Sequence, residues 1–164
     1  MEIIKANIVD LWKSGKIVCV TTNGCIKKDR AGVMGRGNAL AMAQLIPSLP
    51  SNLGAHLIKH GNNVNFIYER IISFPVKPDV GKYTDVLPHM KYRYKETDMI
   101  PGWCCKADLN LIKKSLKQLN TLIERENLEE VYLPIPGVNN GNLKIEEVTP
   151  ILEGGCKQIK ICSL

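Results

Sequence analysis

The sequence predicts an α/β fold with a largely parallel sheet between helices. Two observations carry this. Short β-branched runs alternate with helix-like segments in the order β-α-β-α-β-α-β. Unusual segments, two of them rich in Gly and Asn, directly follow three of the strand-like runs, at the edge where open α/β sheets bind ligands.

Ile3–Lys5, with Ile8 after it, predicts an N-terminal strand. Lys16–Thr22 (KIVCVTT) is too short for a helix and fits a buried strand. Asn38–Ile46 reads as a helix stopped by Pro47. Ser51 is a good N-cap for a second helix to about His60, with Gly61 beyond its end. Val64–Phe74 predicts one long strand. Asp108 caps a third helix, in which Leu109, Ile112, Leu116, Leu119 and Ile123 share one face. Val131–Ile135 is a strand and Ile145–Leu152 a short helix that Pro150 must kink or shorten. Ile159–Cys162 is a final strand. Residues 79–105 hold Pro88, Pro101 and three tyrosines without a clear period. They predict a long surface excursion, with part of it ordered over a ligand.

At 164 residues the chain predicts one domain, 1–164, able to bury roughly two thirds of its unfolded surface without a metal or disulfide staple. A hydrophobic content of 45% and a charged content of 23% exclude disordered, collagen-like and coiled-coil classes. No apolar run approaches the ~20 residues of a membrane span, and the N-terminus lacks a basic-then-apolar signal pattern. A cytoplasmic protein with reduced thiols and no membrane partner is expected. The six cysteines form no C-x-x-C pair, and His56 and His60 lack the Glu of an HExxH site. No metal site and no cofactor are predicted. Cys19 and Cys162 lie in apolar runs, where a thiol acts as a small hydrophobe. The net charge of +6 is uneven: residues 1–50 carry seven basic and three acidic side chains, whereas 106–164 carry eight of each. The excess suits a phosphate-bearing partner or simply maintains solubility.

The three segments after strands are Asn23–Asn38 (NGCIKKDRAGVMGRGN), Pro75-Val76-Lys77 and Pro136–Leu143 (PGVNNGNL). Parallel strands bring them to one edge. Gly32, Gly35 and Gly37 allow close backbone approach, and Arg36 adds a charge between two of them. The helix starting near Asn38 points free N–H groups to the same place. Gly137, Asn139, Asn140 and Gly141 do likewise before the helix near Ile145, and Asn tolerates the left-handed region. Two facing helix N-termini suit a pyrophosphate. GVMGRG is not a P-loop, because it lacks the G-K-[ST] ending. Taken singly, each segment also reads as an ordinary turn, strand end or surface lysine.

These residues resemble a macrodomain, the α/β module that binds ADP-ribose. The resemblance rests on V-T-T-N-G, then G-V-M-G-R-G-N-A at 32–39, F-P-V-K at 74–77 and L-P-I-P-G-V-N-N-G-N-L at 133–143. It covers the chain apart from 79–105. It is similar to the branch with ADP-ribosyl-glutamate and DNA–ADP-ribose hydrolases and the phage and bacterial ADP-ribose-1''-phosphate phosphatase-like proteins. The resemblance implies a three-layer α-β-α fold with a mixed, mostly parallel sheet.

It also implies site roles. Asn7, where the family has an acidic residue, and Ile8 would meet the adenine. Gly32, Val33, Met34, Gly35, Arg36, Gly37 and Asn38 form the first phosphate and ribose loop. Pro136, Gly137, Val138, Asn139, Asn140, Gly141, Asn142 and Leu143 form the second. Asn23 lies near the distal ribose, and Lys77 ends the F-P-x-K block that some members use in catalysis. The catalytic aspartate of some relatives aligns with Gly141, and an aromatic residue after that loop is Ile145 here. The activity implied is hydrolysis of an ADP-ribosyl bond at C1'' of the distal ribose, with Lys77 and Asn23 as the catalytic pair. The alternatives are a non-catalytic ADP-ribose reader and an ADP-ribose-1''-phosphate phosphatase. A basic nucleic-acid-binding module is the alternative from another class. The partner is ADP-ribose or an ADP-ribosylated protein or nucleic acid, and a monomer is expected.

Overall fold

Five parallel strands, each apolar and β-branched, form the centre of the computed structural model, which describes residues 2–163. The strands are β1 (Ile3–Lys5), β2 (Ile17–Thr22), β3 (Asn65–Tyr68), β4 (Ile71–Pro75), β5 (Val80–Gly81), β6 (Ile100–Pro101), β7 (Val131–Pro134) and β8 (Ile159–Ser163). The main sheet has the order β1-β8-β7-β2-β4-β3, and only β3 runs antiparallel, against β4. The helices are α1 (Ile8–Lys13), α2 (Gly37–Leu45), α3 (Leu49–His60), α4 (Leu109–Glu126) and α5 (Ile145–Leu152).

Alternation along the strands divides the core in two. Val18 and Val20 of β2 and Ile71 of β4 face α1, α2 and α3, packing on Met42, Leu49, Leu53 and Leu57. Cys19 of β2 and Ile72 and Phe74 of β4 face α4 and α5, packing on Ile112, Leu116, Leu119, Val148 and Leu152. The result is three layers, α-β-α. Each fully buried Leu, Ile or Phe contributes ~1.5–3 kcal/mol. In α4, Asp108 Oδ1 accepts from the Asn110 and Leu111 N–H groups, and Asn127 ends the helix in the left-handed region. Among the described residues no helix is long and apolar enough to cross a membrane.

Three element expectations need correction. Val64–Phe74 is not one strand but a hairpin, β3 and β4, turning at Glu69 and Arg70. The β-branched run hides the turn, because its bend falls on Arg70, at φ 60°, and not on Gly or Asn. Contacts from the other end of the chain hold it there. Arg70 donates to the carbonyls of Trp12 and Lys16 and lies over the Trp12 ring, and Trp12 Nε1 donates to the Glu69 carbonyl. Trp12 sits on α1, a helix the sequence pattern does not predict; Ile8 opens it rather than trailing the first strand. The helix α3 begins at Leu49 rather than after Ser51, because Pro50 is tolerated in a first helical turn.

The 79–105 excursion is ordered. β5 and β6 pair antiparallel, short 3-10 turns lie at Tyr83–Asp85, Pro88–Arg93 and Gly102–Cys104, and Val86, Leu87, Met90, Ile100, Cys104 and Cys105 form a separate small core. Its short turns carry no period that a sequence reading detects.

Candidate functional site

A cavity of about 680 Å³ opens at the carboxyl edge of the parallel sheet. Every parallel strand reaches it: Ala6 after β1, Cys162 and Ser163 of β8, Pro134 of β7, Thr21 and Thr22 of β2, and Val76 and Lys77 after β4. Five strands span four spacings of ~4.8 Å, so the cleft runs for ~19 Å across the sheet.

Chemistry changes along that length. At the β1 end the wall is apolar, with Ala6, Ile8, Ile135, Ile145 and Cys162. The middle lies between the two glycine- and asparagine-rich loops. Val33, Met34, Gly35, Arg36, Gly37 and Asn38 line it from one side, and Gly137, Val138, Asn139, Asn140, Gly141 and Leu143 from the other. At the β4 end stand Asn23, Lys77 and Trp103.

The first loop is held by its asparagines. Asn38 Oδ1 accepts from the Thr21 N–H at 2.9 Å, and Asn38 Nδ2 donates to Thr21 Oγ1 at 3.0 Å. Asn23 Nδ2 donates to the Val33 carbonyl at 3.1 Å, and Asn23 Oδ1 accepts from the Cys25 N–H at 3.0 Å. Gly37 has φ 59°, and a Cβ there would meet Asn140 Nδ2 at 2.9 Å, so the two loops nearly touch. Arg36 precedes α2 and makes no side-chain cap, and the first turn of α2 holds no acidic residue. The leading N–H groups of α2 are left for an anion. α5 differs: Glu146 and Glu147 occupy its first turn, and Glu147 accepts from the Lys144 N–H at 2.8 Å. The two helix starts are therefore not equivalent, and α2 is the better anion site.

The second loop needs unusual backbone. Gly137, Asn139 and Asn142 have φ of 80°, 58° and 60°. A Cβ on Gly137 would meet Ile112 Cδ1 at 2.7 Å, and one on Gly141 would meet Ala107 Cβ at 2.8 Å. An aspartate at 141 therefore collides with the Ala107 side chain, just before α4.

Lys77 is buried, 9% exposed, and no salt bridge reaches it among the described residues. Its Nζ donates to the carbonyls of Trp103 and Asn140, both at 3.2 Å. Burial pushes its pKa below the usual lysine value; Cys105 opposes this and Arg36 adds to it. Cys25, beside it, has its thiol pushed up, chiefly by burial. Among the described residues no carboxylate lines the cleft, and no group of three His, Cys, Asp or Glu is placed to hold a metal ion.

Four of the expected site residues do not line the cleft. Asn7 caps α1, accepting from the Val9 N–H at 2.8 Å and the Asp10 N–H at 3.4 Å. Gly32 packs on Leu53 and donates to the Pro50 carbonyl. Pro136, at the start of the second loop, is buried, and Asn142, exposed, ends its 3-10 turn. Conversely, Thr21, Thr22 and Trp103 line the cleft and escaped the sequence reading. A lone Trp inside an irregular segment was the available signal for Trp103.

No family model and no curated protein matches this sequence. Solved structures match its fold. The macrodomain of Mycobacterium tuberculosis DarG has a TM-score of 0.63 at 18% identity, over 100% of this chain and 94% of that one. The macrodomain of Thermus aquaticus DarG has a TM-score of 0.58 at 16% identity, over 98% and 95%. Thermosipho africanus DarTG in complex with ADP-ribose has a TM-score of 0.60 at 16% identity, over 88% of this chain and 37% of that longer one. The chain has the macrodomain fold.

Proposed function

We propose that this protein binds ADP-ribose, free or attached to another molecule, and hydrolyses an ADP-ribosyl bond at C1'' of the distal ribose. The order of chemistry along the ~19 Å cleft carries the reading. An apolar end at Ile8 suits adenine, the paired loops and the start of α2 suit a diphosphate, and the Asn23–Lys77 end suits a sugar. The ADP-ribose complex of a protein with this fold supports the same assignment.

In the reaction, water adds to C1'', the bond from C1'' to the attached group breaks, and that group leaves with the electron pair and takes up a proton. Lys77 is the ionisable side chain at that end, and its ammonium stabilises the departing group. Asn23 retains a second Nδ2 hydrogen with which to place the water. Adenosine and diphosphate contacts hold the reacting carbon in register. The protein acts as a monomer on an ADP-ribosylated protein or nucleic acid.

The lack of a carboxylate in the cleft favours a second reading, a reader that binds without turnover. Calorimetry with ADP-ribose and AMP, then product analysis on ADP-ribosylated protein, ADP-ribosylated DNA and ADP-ribose-1''-phosphate, separates the readings. Tight ADP-ribose binding, weaker AMP binding and release of ADP-ribose from a conjugate are expected. Binding without release identifies the reader. Phosphate release from the 1''-phosphate alone identifies a phosphatase. No heat with ADP-ribose at millimolar concentration refutes the whole assignment, and a basic nucleic-acid module then becomes the leading alternative.

A further inference from the structure

The 79–105 excursion is a structured segment with its own core, and only one of its residues, Trp103, lines the cleft. That residue is positioned with care. Gly102 presses so closely on the backbone that a Cβ there would lie 1.6 Å from the Pro78 carbonyl oxygen, and its N–H donates to the Asp79 carbonyl at 2.8 Å. Trp103 then packs on the segment's core, and its own carbonyl accepts from Lys77 Nζ. Half-buried Trp103 thus stands at the Lys77 end of the cleft. It is the single aromatic side chain among the lining residues described.

We propose that Trp103 is the residue that makes the cleft select a sugar beyond the diphosphate. Its indole covers the apolar C–H face of the distal ribose, so a ligand ending at the second phosphate loses this contact. The segment then serves the site by bringing an aromatic side chain to the end of the cleft where Asn23 and Lys77 stand. Sugar C–H groups are apolar enough to gain from covering an aromatic face, and a fixed indole loses little rotamer freedom on binding. This inference rests on the ADP-ribose reading of the cleft.

The experiment compares ADP-ribose with ADP by calorimetry on the wild type, Trp103→Ala and Trp103→Phe. Trp103→Ala is expected to weaken ADP-ribose about tenfold, equivalent to about 1.4 kcal/mol, and to leave ADP within about twofold. Trp103→Phe, which keeps an aromatic ring on the segment's core, is expected to restore most of the lost affinity. The protein has two tryptophans, Trp12 and Trp103. The difference in emission between wild type and Trp103→Phe therefore reports Trp103, and it is expected to change with ADP-ribose and not with ADP. Unchanged ADP-ribose affinity in Trp103→Ala overturns the inference while leaving the ADP-ribose reading intact. Equal losses for ADP and ADP-ribose also overturn it, because they mark a purely structural role. A wild type that binds neither ligand overturns both.

Discussion

Lys77 Nζ donates to the carbonyl of Asn140 across 3.2 Å and so joins the end of β4 to the loop after β7. A second bond, to the Trp103 carbonyl, adds a third segment to the same junction. One buried cation thereby ties the end of β4 to two other segments, the loop after β7 and the 79–105 segment. Its position makes it both a structural tie and the best candidate for catalysis.

Lys77→Ala is expected to lower turnover of a susceptible conjugate by about 10²–10⁴-fold, the range for loss of a positioned proton-transfer or charge-stabilising group. ADP-ribose affinity should change much less, since such a group acts mainly on the transition state. Single-turnover kinetics beside calorimetry read the two effects. Equal turnover by both proteins would remove Lys77 from the chemistry and shift it to water held at Asn23.

The same lysine has a pH signature. Its folded pKa lies below the ordinary value near 10.5, so the unfolded chain binds more protons between those two values. The cost of burying the charged form is fully present below the folded pKa and is relieved as pH rises. Wild type should therefore gain stability relative to Lys77→Met as pH rises toward that ordinary value. Paired thermal melts across that range check the sign; a gap that moves the other way contradicts it.

Gly37→Glu should remove ADP-ribose binding and keep the fold. The residue sits at φ 59°, where an L side chain costs roughly 1–2 kcal/mol, and its Cβ meets only the movable amide end of Asn140. The new carboxylate stands where the α2 N-terminus would receive phosphate. A folded variant with undiminished affinity places the ligand elsewhere.

Asn7→Ala tests whether this residue is a cap or a ligand contact. Loss of the α1 cap should cost about 1 kcal/mol of stability and leave the ADP-ribose Kd unchanged. Denaturant unfolding and calorimetry give the two numbers. A tenfold weaker Kd with unchanged stability would return Asn7 to the adenine site.

Gly141→Asp, which supplies the acid that resembling hydrolases carry, should destabilise the protein because its Cβ meets Ala107 Cβ at 2.8 Å. Adding Ala107→Gly should recover part of the lost melting temperature. If Gly141→Asp melts like the wild type, the loop is free to move and the collision is not what excludes an acid there.

The sequence by itself determined the α/β class, the parallel strands β2, β7 and β8, the amphipathic α4 and the convergence of three post-strand segments on one edge. Those follow from local period, strand length and Gly/Asn placement, which act over a few residues. Only the tertiary structure decided the rest. Glu69–Arg70 turns because Trp12, more than fifty residues away, holds it. Asn7 spends its side-chain oxygen on a helix the sequence pattern did not reveal. Glu147 takes the start of α5, so the two helix N-termini are unequal. Trp103 reaches the cleft through an aperiodic segment with its own small core. Each of these depends on contacts between segments distant in the chain, and such contacts leave no period or spacing in the sequence from which to read them.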